Sequence, residues 1–167
     1  MPDGERFELD AGRLVRMNPP GAGHGEVTVR IAAAFYGFAG PRSLGRVFVE
    51  SGFTLHRNPD TVRGPDVSFI GSGHAGIGVQ RGFITGGPDI AVEIVSPENT
   101  QPELRRKMAE YLGAGTKIGL IVDLDRRTIE EFRADTAPAI RGVTDRVDFG
   151  PVLPGLAPTV GELLASA

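Results

Sequence analysis

Two carboxylates in apolar segments are the first residues of the sequence that could do chemistry. Glu93 lies inside the run IAVEIV, where strand alternation would place it on one face with Ala91 and Val95. A buried carboxylate is costly unless a cation or a metal compensates its charge. Asp66 could supply a second carboxylate, and the carbonyl of Ile94 a third oxygen, for a hard cation such as Mg²⁺. A structural salt bridge from Glu93 to an arginine is the alternative interpretation.

A lysine provides the third candidate group. Lys107 and Lys117 are the only lysines of the chain. The segment QPELRRKMAEYL has the apolar spacing of a helix, and Lys107 lies inside its apolar stripe. If this helix folds back over the sheet, the ammonium group of Lys107 could come close to Glu93. A lysine that snorkels to solvent, or one paired with Glu103 a turn earlier, is the competing interpretation.

A histidine stands at the head of another predicted helix. Val27, Ile31, Ala34 and Phe38 recur at helical spacing after the break NPPGAG, and His24 begins the same stripe. His24 could position a water molecule or a phosphate, but a histidine bonded inside the core fits this pattern equally well.

The glycine-rich segment GSGHAG, residues 71–76, matches the G-x-G-x-x-G phosphate-binding pattern. That pattern requires a helix to begin within it. The following IGVQRGF contains two more glycines, so the sequence predicts a loop here rather than a nucleotide site.

The order of predicted elements indicates an α/β or α+β fold with a mixed sheet flanked by helices, not a doubly wound βαβ series. Thr100 or Asn99 is expected to cap the second long helix, with Pro102 in its first turn. The elements are a hairpin of residues 6–9 and 13–17, a helix from His24, one or two strands in RVFVESGFTL, a strand in VRGPDVSFI, a central strand in PDIAVEIV, a helix over 101–112, paired strands in KIGLIVDLD and RTIEEFRA, a strand in RVDF and a short helix in PTVGELLASA.

Composition narrows the class of protein. The chain has 167 residues, which suits a single domain over residues 1–167. It contains no cysteine, which excludes disulfides and thiolate metal sites. The net charge of −3 indicates no overall basic surface for nucleic acid, although a summed charge does not exclude a local patch. No apolar run is long enough to cross a bilayer and MPDGERFELD is not a signal peptide, so we expect a cytoplasmic protein.

Several segments together carry a family resemblance over nearly the whole chain. In chain order they are FELDAGRLVRM, a histidine at a helix start, PDVSFI, VEIVSPENT, LRRKMAEYLGAG, IVDLDRRTIEEFR and VLPGLAPTVGELL. They resemble the Uma family, a large bacterial group within the PD-(D/E)XK nuclease superfamily. The resemblance implies a restriction-endonuclease-like mixed sheet flanked by helices, with an N-terminal hairpin.

The resemblance also implies site residues. Asp66 matches the aspartate of the PD pair, and Glu93 matches the acid of the (D/E)XK triplet. Val95 stands where the triplet has its lysine, as in related nucleases whose lysine has moved to the following helix, and Lys107 matches that moved position. His24 matches a histidine on the first helix.

The function expected from the resemblance is metal-dependent hydrolysis of DNA, with Mg²⁺ as the cofactor and Mn²⁺ as a substitute. Glu8 matches an acid in the N-terminal hairpin of the family. The resemblance also implies a homodimer. Arg105 and Arg106 are candidate phosphate contacts, and any sequence recognition would reside in loops 40–46 and 71–82. Two alternatives stay open: an inactive dimeric nucleic-acid-binding or scaffold protein, and a metal hydrolase for small phosphoesters.

Overall fold

The computed structural model describes residues 6–74 and 82–165, which form two β-sheets and three α-helices. The strands and helices are β1 (Arg6–Asp10), β2 (Arg13–Met17), α1 (Ala22–Ala39), β3 (Gly45–Val49), β4 (Phe53–His56), β5 (Thr61–Arg63), β6 (Val67–Gly71), β7 (Ile84–Thr85), β8 (Ile90–Ile94), α2 (Gln101–Gly113), β9 (Ile118–Asp123), β10 (Thr128–Arg133), β11 (Thr136–Arg141) and α3 (Val160–Leu164).

The larger sheet is mixed, with six strands in the order β11-β10-β9-β8-β6-β3. Strand β8 is central and wholly buried, and it pairs parallel with β9 through the crossover helix α2. Side chains of β8 alternate between two apolar clusters: Ile90, Val92 and Ile94 pack with α1, whereas Ala91 packs with α2. The two long helices therefore cover opposite faces of this sheet, as expected.

The smaller sheet has five strands in the order β2-β1-β5-β4-β7. The N-terminal hairpin joins it through β1, where Leu9 pairs with Val62 of β5. Leu55 of this sheet packs against the apolar cluster of α2. The sequence predicted the hairpin but not a second sheet, and it is this sheet that carries the hairpin to α2.

Most predicted elements are confirmed. RVFVESGFTL forms two strands, β3 and β4, which belong to different sheets, and VRGPDVSFI likewise divides into β5 and β6. Thr100 caps α2 in a reciprocal capping box with Glu103, as predicted for the first of the two cap candidates. The buried stripe of α1 runs through Val27, Ile31, Phe35 and Ala39, and the predicted Ala34 and Phe38 are partly buried against the same core.

The prediction of a strand in RVDF is wrong. Val147 and Phe149 donate their N–H groups to the carbonyls of Pro158 and Leu156, but outside the named strands only the bridge between Arg146 and Thr159 is formed in the described chain. Pro158 has no N–H to continue a ladder. The last strand is instead β11, whose Pro138 is tolerated because β11 lies at the edge of the sheet.

One of the two loops that were expected to carry any sequence recognition is described only in part. Residues 40–42 form a short 3₁₀ turn, while residues 71–74 end β6 and begin a turn. The rest of the glycine-rich motif and of loop 71–82, residues 75–81, lies outside the described residues. In the described part of the chain, none of the helices is long and apolar enough to span a membrane.

Candidate functional site

The two candidate carboxylates lie at the same end of the larger sheet. Val67 of β6 pairs with Val92 of antiparallel β8, so one residue further along this register Asp66 lies opposite Glu93. The Ile94 N–H group donates to Oδ2 of Asp66 at 2.7 Å, which fixes that carboxylate beside β8. The structure therefore brings Asp66, Glu93 and the backbone of Ile94 to the same end of the larger sheet.

Glu93 is buried against α2 and engaged through both of its oxygens. The Tyr111 hydroxyl donates to Oε1 at 2.8 Å, and Nζ of Lys107 lies 3.4 Å from Oε2. Burial raises the pKa of Glu93 to about 7; the charges of Asp66 and Glu8 act in the same direction, whereas Lys107 and Tyr111 oppose the rise. The cationic partner of Glu93 is thus a lysine rather than the arginine of the structural alternative.

Lys107 lies under α2 rather than in solvent. Its Nζ atom is 3.1 Å from each carboxylate oxygen of Glu8 and farther from Glu93. Burial alone would lower the pKa of Lys107, but the charges of Glu93 and Glu8 outweigh it and raise the pKa above its ordinary value. The pairing with Glu103 does not occur, because Glu103 caps α2. Val95, at the triplet position, packs with the apolar cluster of α2.

An arginine that sequence reasoning missed organises the surroundings of Lys107. Arg63, at the end of β5, is only 2% exposed and binds three carboxylates, those of Glu8, Asp10 and Glu110. Burial lowers the pKa of Arg63, but the bond to Glu110 and the three negative charges raise it overall. The only sequence signal was that Arg63 precedes the Gly-Pro-Asp turn, and this does not distinguish it from a solvated arginine.

His24 reaches the site from the start of α1. Its Nε2 atom lies 3.2 Å from Oδ2 of Asp66, while Nδ1 lies 3.4 Å from the Thr28 hydroxyl. The bond to Asp66 raises the pKa of His24, aided by the charges of Asp66, Glu50 and Glu93 and opposed by burial. His24 is therefore a partner of the candidate metal carboxylate and not a histidine buried among apolar side chains.

The candidate site lies in one open cleft of about 670 Å³, whose lining includes Glu8, His24, Arg63, Asp66, Glu93, Ile94 and Lys107. Among the described lining residues, seven carboxylates face five arginine and lysine side chains, a formal charge of −2. Arg105 is bound to Glu130, and Arg106 is bound to Asp10 and Glu110. The two arginines proposed as phosphate contacts are thus already engaged in ion pairs.

The donor set fits a hard cation with few protein ligands. Within residues 6–74 and 82–165, no group of three or more His, Asp or Glu side chains is arranged to hold a metal. Two opposed carboxylates and a neighbouring backbone carbonyl agree with the coordination preference of Mg²⁺, which binds one or two protein carboxylates and keeps several water ligands. A divalent ion would also offset the mutual repulsion by which Asp66 raises the pKa of Glu93.

Comparisons with known proteins agree with this architecture. The chain is similar to a crystal structure of a protein from Anabaena variabilis, described as "a putative nuclease belonging to DUF820". The TM-score is 0.83 at 20% sequence identity, covering 95% of this chain and 89% of that chain, which confirms the expected fold. No curated protein matches the chain significantly. The Uma2 family, described as "Putative restriction endonuclease", matches residues 1–161, and the chain belongs to this family.

Proposed function

We propose that this protein is a metal-dependent endonuclease that hydrolyses phosphodiester bonds of DNA. The observation that carries the proposal is the placement of Asp66 opposite Glu93 in an open cleft, with the ammonium of Lys107 3.4 Å from Glu93. The description of the family, and that of the Anabaena protein as a nuclease, support the same reaction class.

The metal of this proposal is Mg²⁺, with Mn²⁺ as a substitute, held by Asp66, Glu93 and the carbonyl of Ile94. Bound there, it would polarise the scissile phosphate and lower the pKa of the attacking water. The protein's own contribution is to fix the carboxylates: the Ile94 N–H group and His24 hold Asp66, and Tyr111 holds Glu93.

Lys107 acts in this proposal as a cation. Because its pKa is raised, Lys107 stays protonated at neutral pH and can donate hydrogen bonds to the attacking water or to a phosphate oxygen. Negative charge grows on the phosphoryl oxygens in the transition state, so an ammonium group held in a buried position stabilises it more than a solvated one. His24, with its pKa also raised, orients Asp66 and offsets the negative charge around it.

The test is cleavage of plasmid DNA with Mg²⁺ or Mn²⁺. We expect Asp66→Asn, Glu93→Gln and Lys107→Met each to lower the rate about 100-fold or more. Asp125→Asn makes the same acid-to-amide change in an exposed turn and should keep the wild-type rate. Absence of cleavage by the wild type with either metal, or full activity of both carboxylate variants, would refute the proposal.

Two further measurements separate the alternatives. Calorimetry without any Mg²⁺ or Mn²⁺ binding would favour the inactive binding or scaffold protein. Faster hydrolysis of a nucleotide ester than of a duplex would favour the small-phosphoester hydrolase. We also propose that the protein is cytoplasmic and forms a homodimer. Light scattering on the purified protein tests the dimer, because it measures the molar mass in solution.

A further inference from the structure

The nearest partner of Lys107 is a residue outside the proposed metal ligands. Nζ of Lys107 lies 3.1 Å from both oxygens of Glu8 but 3.4 Å from the nearest oxygen of Glu93. Glu93 is also shared with the Tyr111 hydroxyl. Of the two carboxylates around the ammonium group, Glu8 therefore makes the closer and more symmetric contact.

Glu8 is itself held in one orientation. Its side chain is 5% exposed, and it projects from β1 towards the turn that precedes Asp66. The Gly64 N–H group donates to Oε1 at 3.1 Å, and Nη1 of Arg63 donates to Oε2 at 3.1 Å. Each oxygen of Glu8 thus has one fixed donor besides Lys107, and rotation of the carboxylate would break both bonds.

Arg63 in turn ties Glu8 to the helix that carries Lys107. Its Nε and Nη2 atoms donate to Glu110 at 2.7 and 3.1 Å, and Nη2 also donates to Asp10 at 3.0 Å. Glu110 lies on α2, about one turn after Lys107. The guanidinium of Arg63 therefore joins the hairpin, the strand that leads to Asp66 and the helix α2 in one buried cluster.

We propose that Glu8, anchored by Arg63 and Gly64, is a positioning residue that holds the ammonium group of Lys107 beside Glu93. The catalytic meaning of this placement rests on the proposed function, whereas the placement itself does not. Since Glu8 belongs to the smaller sheet, this sheet completes the site by giving Lys107 a second carboxylate partner besides Glu93.

The experiment measures how available the amine of Lys107 is to a reagent that reacts with accessible, unprotonated amines. The metal-free protein is treated with formaldehyde and a mild reductant, and methylation at each lysine is quantified by mass spectrometry. Lys117, whose side chain is 57% exposed, is the internal reference, since the chain has no third lysine. In Glu8→Gln the ratio of Lys107 to Lys117 methylation should rise about tenfold, which corresponds to loss of one charged hydrogen bond.

The matched control is Asp10→Asn. Asp10 lies two residues along β1 and also binds Arg63, but it does not touch Lys107, so its variant should keep the wild-type ratio. Glu8→Asp is the second variant: it keeps the negative charge for Arg63 while withdrawing the carboxylate, and it should raise the ratio by a smaller factor. If circular dichroism shows that Glu8→Gln is unfolded, the methylation ratio of Glu8→Asp decides the test.

Three results would overturn the proposal. The first is an unchanged ratio in the folded Glu8 variants, and the second is an equal rise in Asp10→Asn, which would indicate general loosening. The third is loss of Mg²⁺ binding in Glu8→Gln to the extent seen in Glu93→Gln, which would make Glu8 a ligand. In active protein, Glu8→Gln should lower kcat and have no further effect when combined with Lys107→Met. If the wild type cleaves nothing, the proposed function fails, and the methylation ratio still decides this inference.

Discussion

Replacement of Arg63 by methionine should destabilise the protein more than loss of any surface ion pair. Methionine keeps most of the buried volume of the arginine stem but removes the cation from among three carboxylates. Asp10 and Glu110 are about a quarter exposed and keep Arg106 as a partner. Glu8 is the critical case, because it is 5% exposed and would retain only Lys107 and one backbone N–H group.

The expected loss of unfolding free energy depends on how many partners each of the three carboxylates keeps when Arg63 is removed. Removing one partner of a buried ion pair costs about 3–5 kcal/mol, and the remaining contacts of Glu8 place Arg63→Met near the lower end, at roughly 3 kcal/mol. This is a large share of a typical unfolding free energy of about 5–15 kcal/mol. In urea, it corresponds to a fall in the unfolding midpoint of roughly 1–2 M.

The control is Arg105→Met on the same helix as Glu110. Arg105 is 55% exposed and paired with Glu130, so its loss should cost at most about 1 kcal/mol. The double variant Arg63→Met with Glu8→Gln should regain roughly 1 kcal/mol or more, because it removes the uncompensated buried charge. A loss in Arg63→Met no greater than in Arg105→Met, or a double variant that shows the plain sum of both losses, would refute the reasoning.

Three further predictions concern stability elsewhere in the fold. Burial raises the pKa of Asp89, but Lys117 and a backbone N–H group outweigh it and hold the pKa below its ordinary value. Its stabilising effect is therefore present above the unfolded pKa of about 3.9 and is lost as pH falls through the folded pKa. Asp89→Asn should flatten the loss of unfolding free energy between pH 6 and pH 3, and parallel curves would contradict this. Thr100→Ala should cost about 1 kcal/mol in urea by removing the cap of α2, whereas Thr100→Ser should be near wild type. Phe35→Ala should lower the unfolding free energy by about 3–5 kcal/mol, because Phe35 is fully buried. Its control Tyr36→Ala changes a position that is 70% exposed and should cost under about 0.5 kcal/mol. Similar losses in both variants would mean that Phe35 is not part of the core.

Local patterns predicted those elements whose periodicity and end signals agree. The helix over residues 101–112 combined an apolar stripe, a cap and an early proline, and α2 begins and ends within one residue of that prediction. Strand β8 was predicted from its nearly continuous apolar run, and it is the buried centre of the larger sheet. In RVDF polar and apolar residues alternate as in a strand, but among the described residues the segment forms only the isolated bridge between Arg146 and Thr159. Which strand a segment pairs with is set by distant residues, and a local pattern does not contain them.

The division of the strands between two sheets was not predictable in the same way. RVFVESGFTL carries strand propensity throughout, yet Glu50 has φ 49°, in the left-handed region, and the chain there turns from one sheet into the other. The sequence allowed one or two strands here, but a glutamate seldom adopts that conformation, so Glu50 did not mark the position of the turn. Without the second sheet, Glu8 had no predicted neighbour across the fold.

The contacts of Lys107 show why one part of the candidate site could be inferred and another could not. Glu93 and Lys107 are 14 residues apart, separated by one turn and part of a crossover helix. A crossover of this length returns over the sheet, so the place of Lys107 inside the apolar stripe of its helix allowed a contact with Glu93 to be inferred. Glu8 and Lys107 are 99 residues apart, and their contact depends on the hairpin pairing with β5 in one register, at Leu9 and Val62. A shift of that register by one residue would turn Glu8 to the opposite face of its strand and leave Lys107 with Glu93 alone.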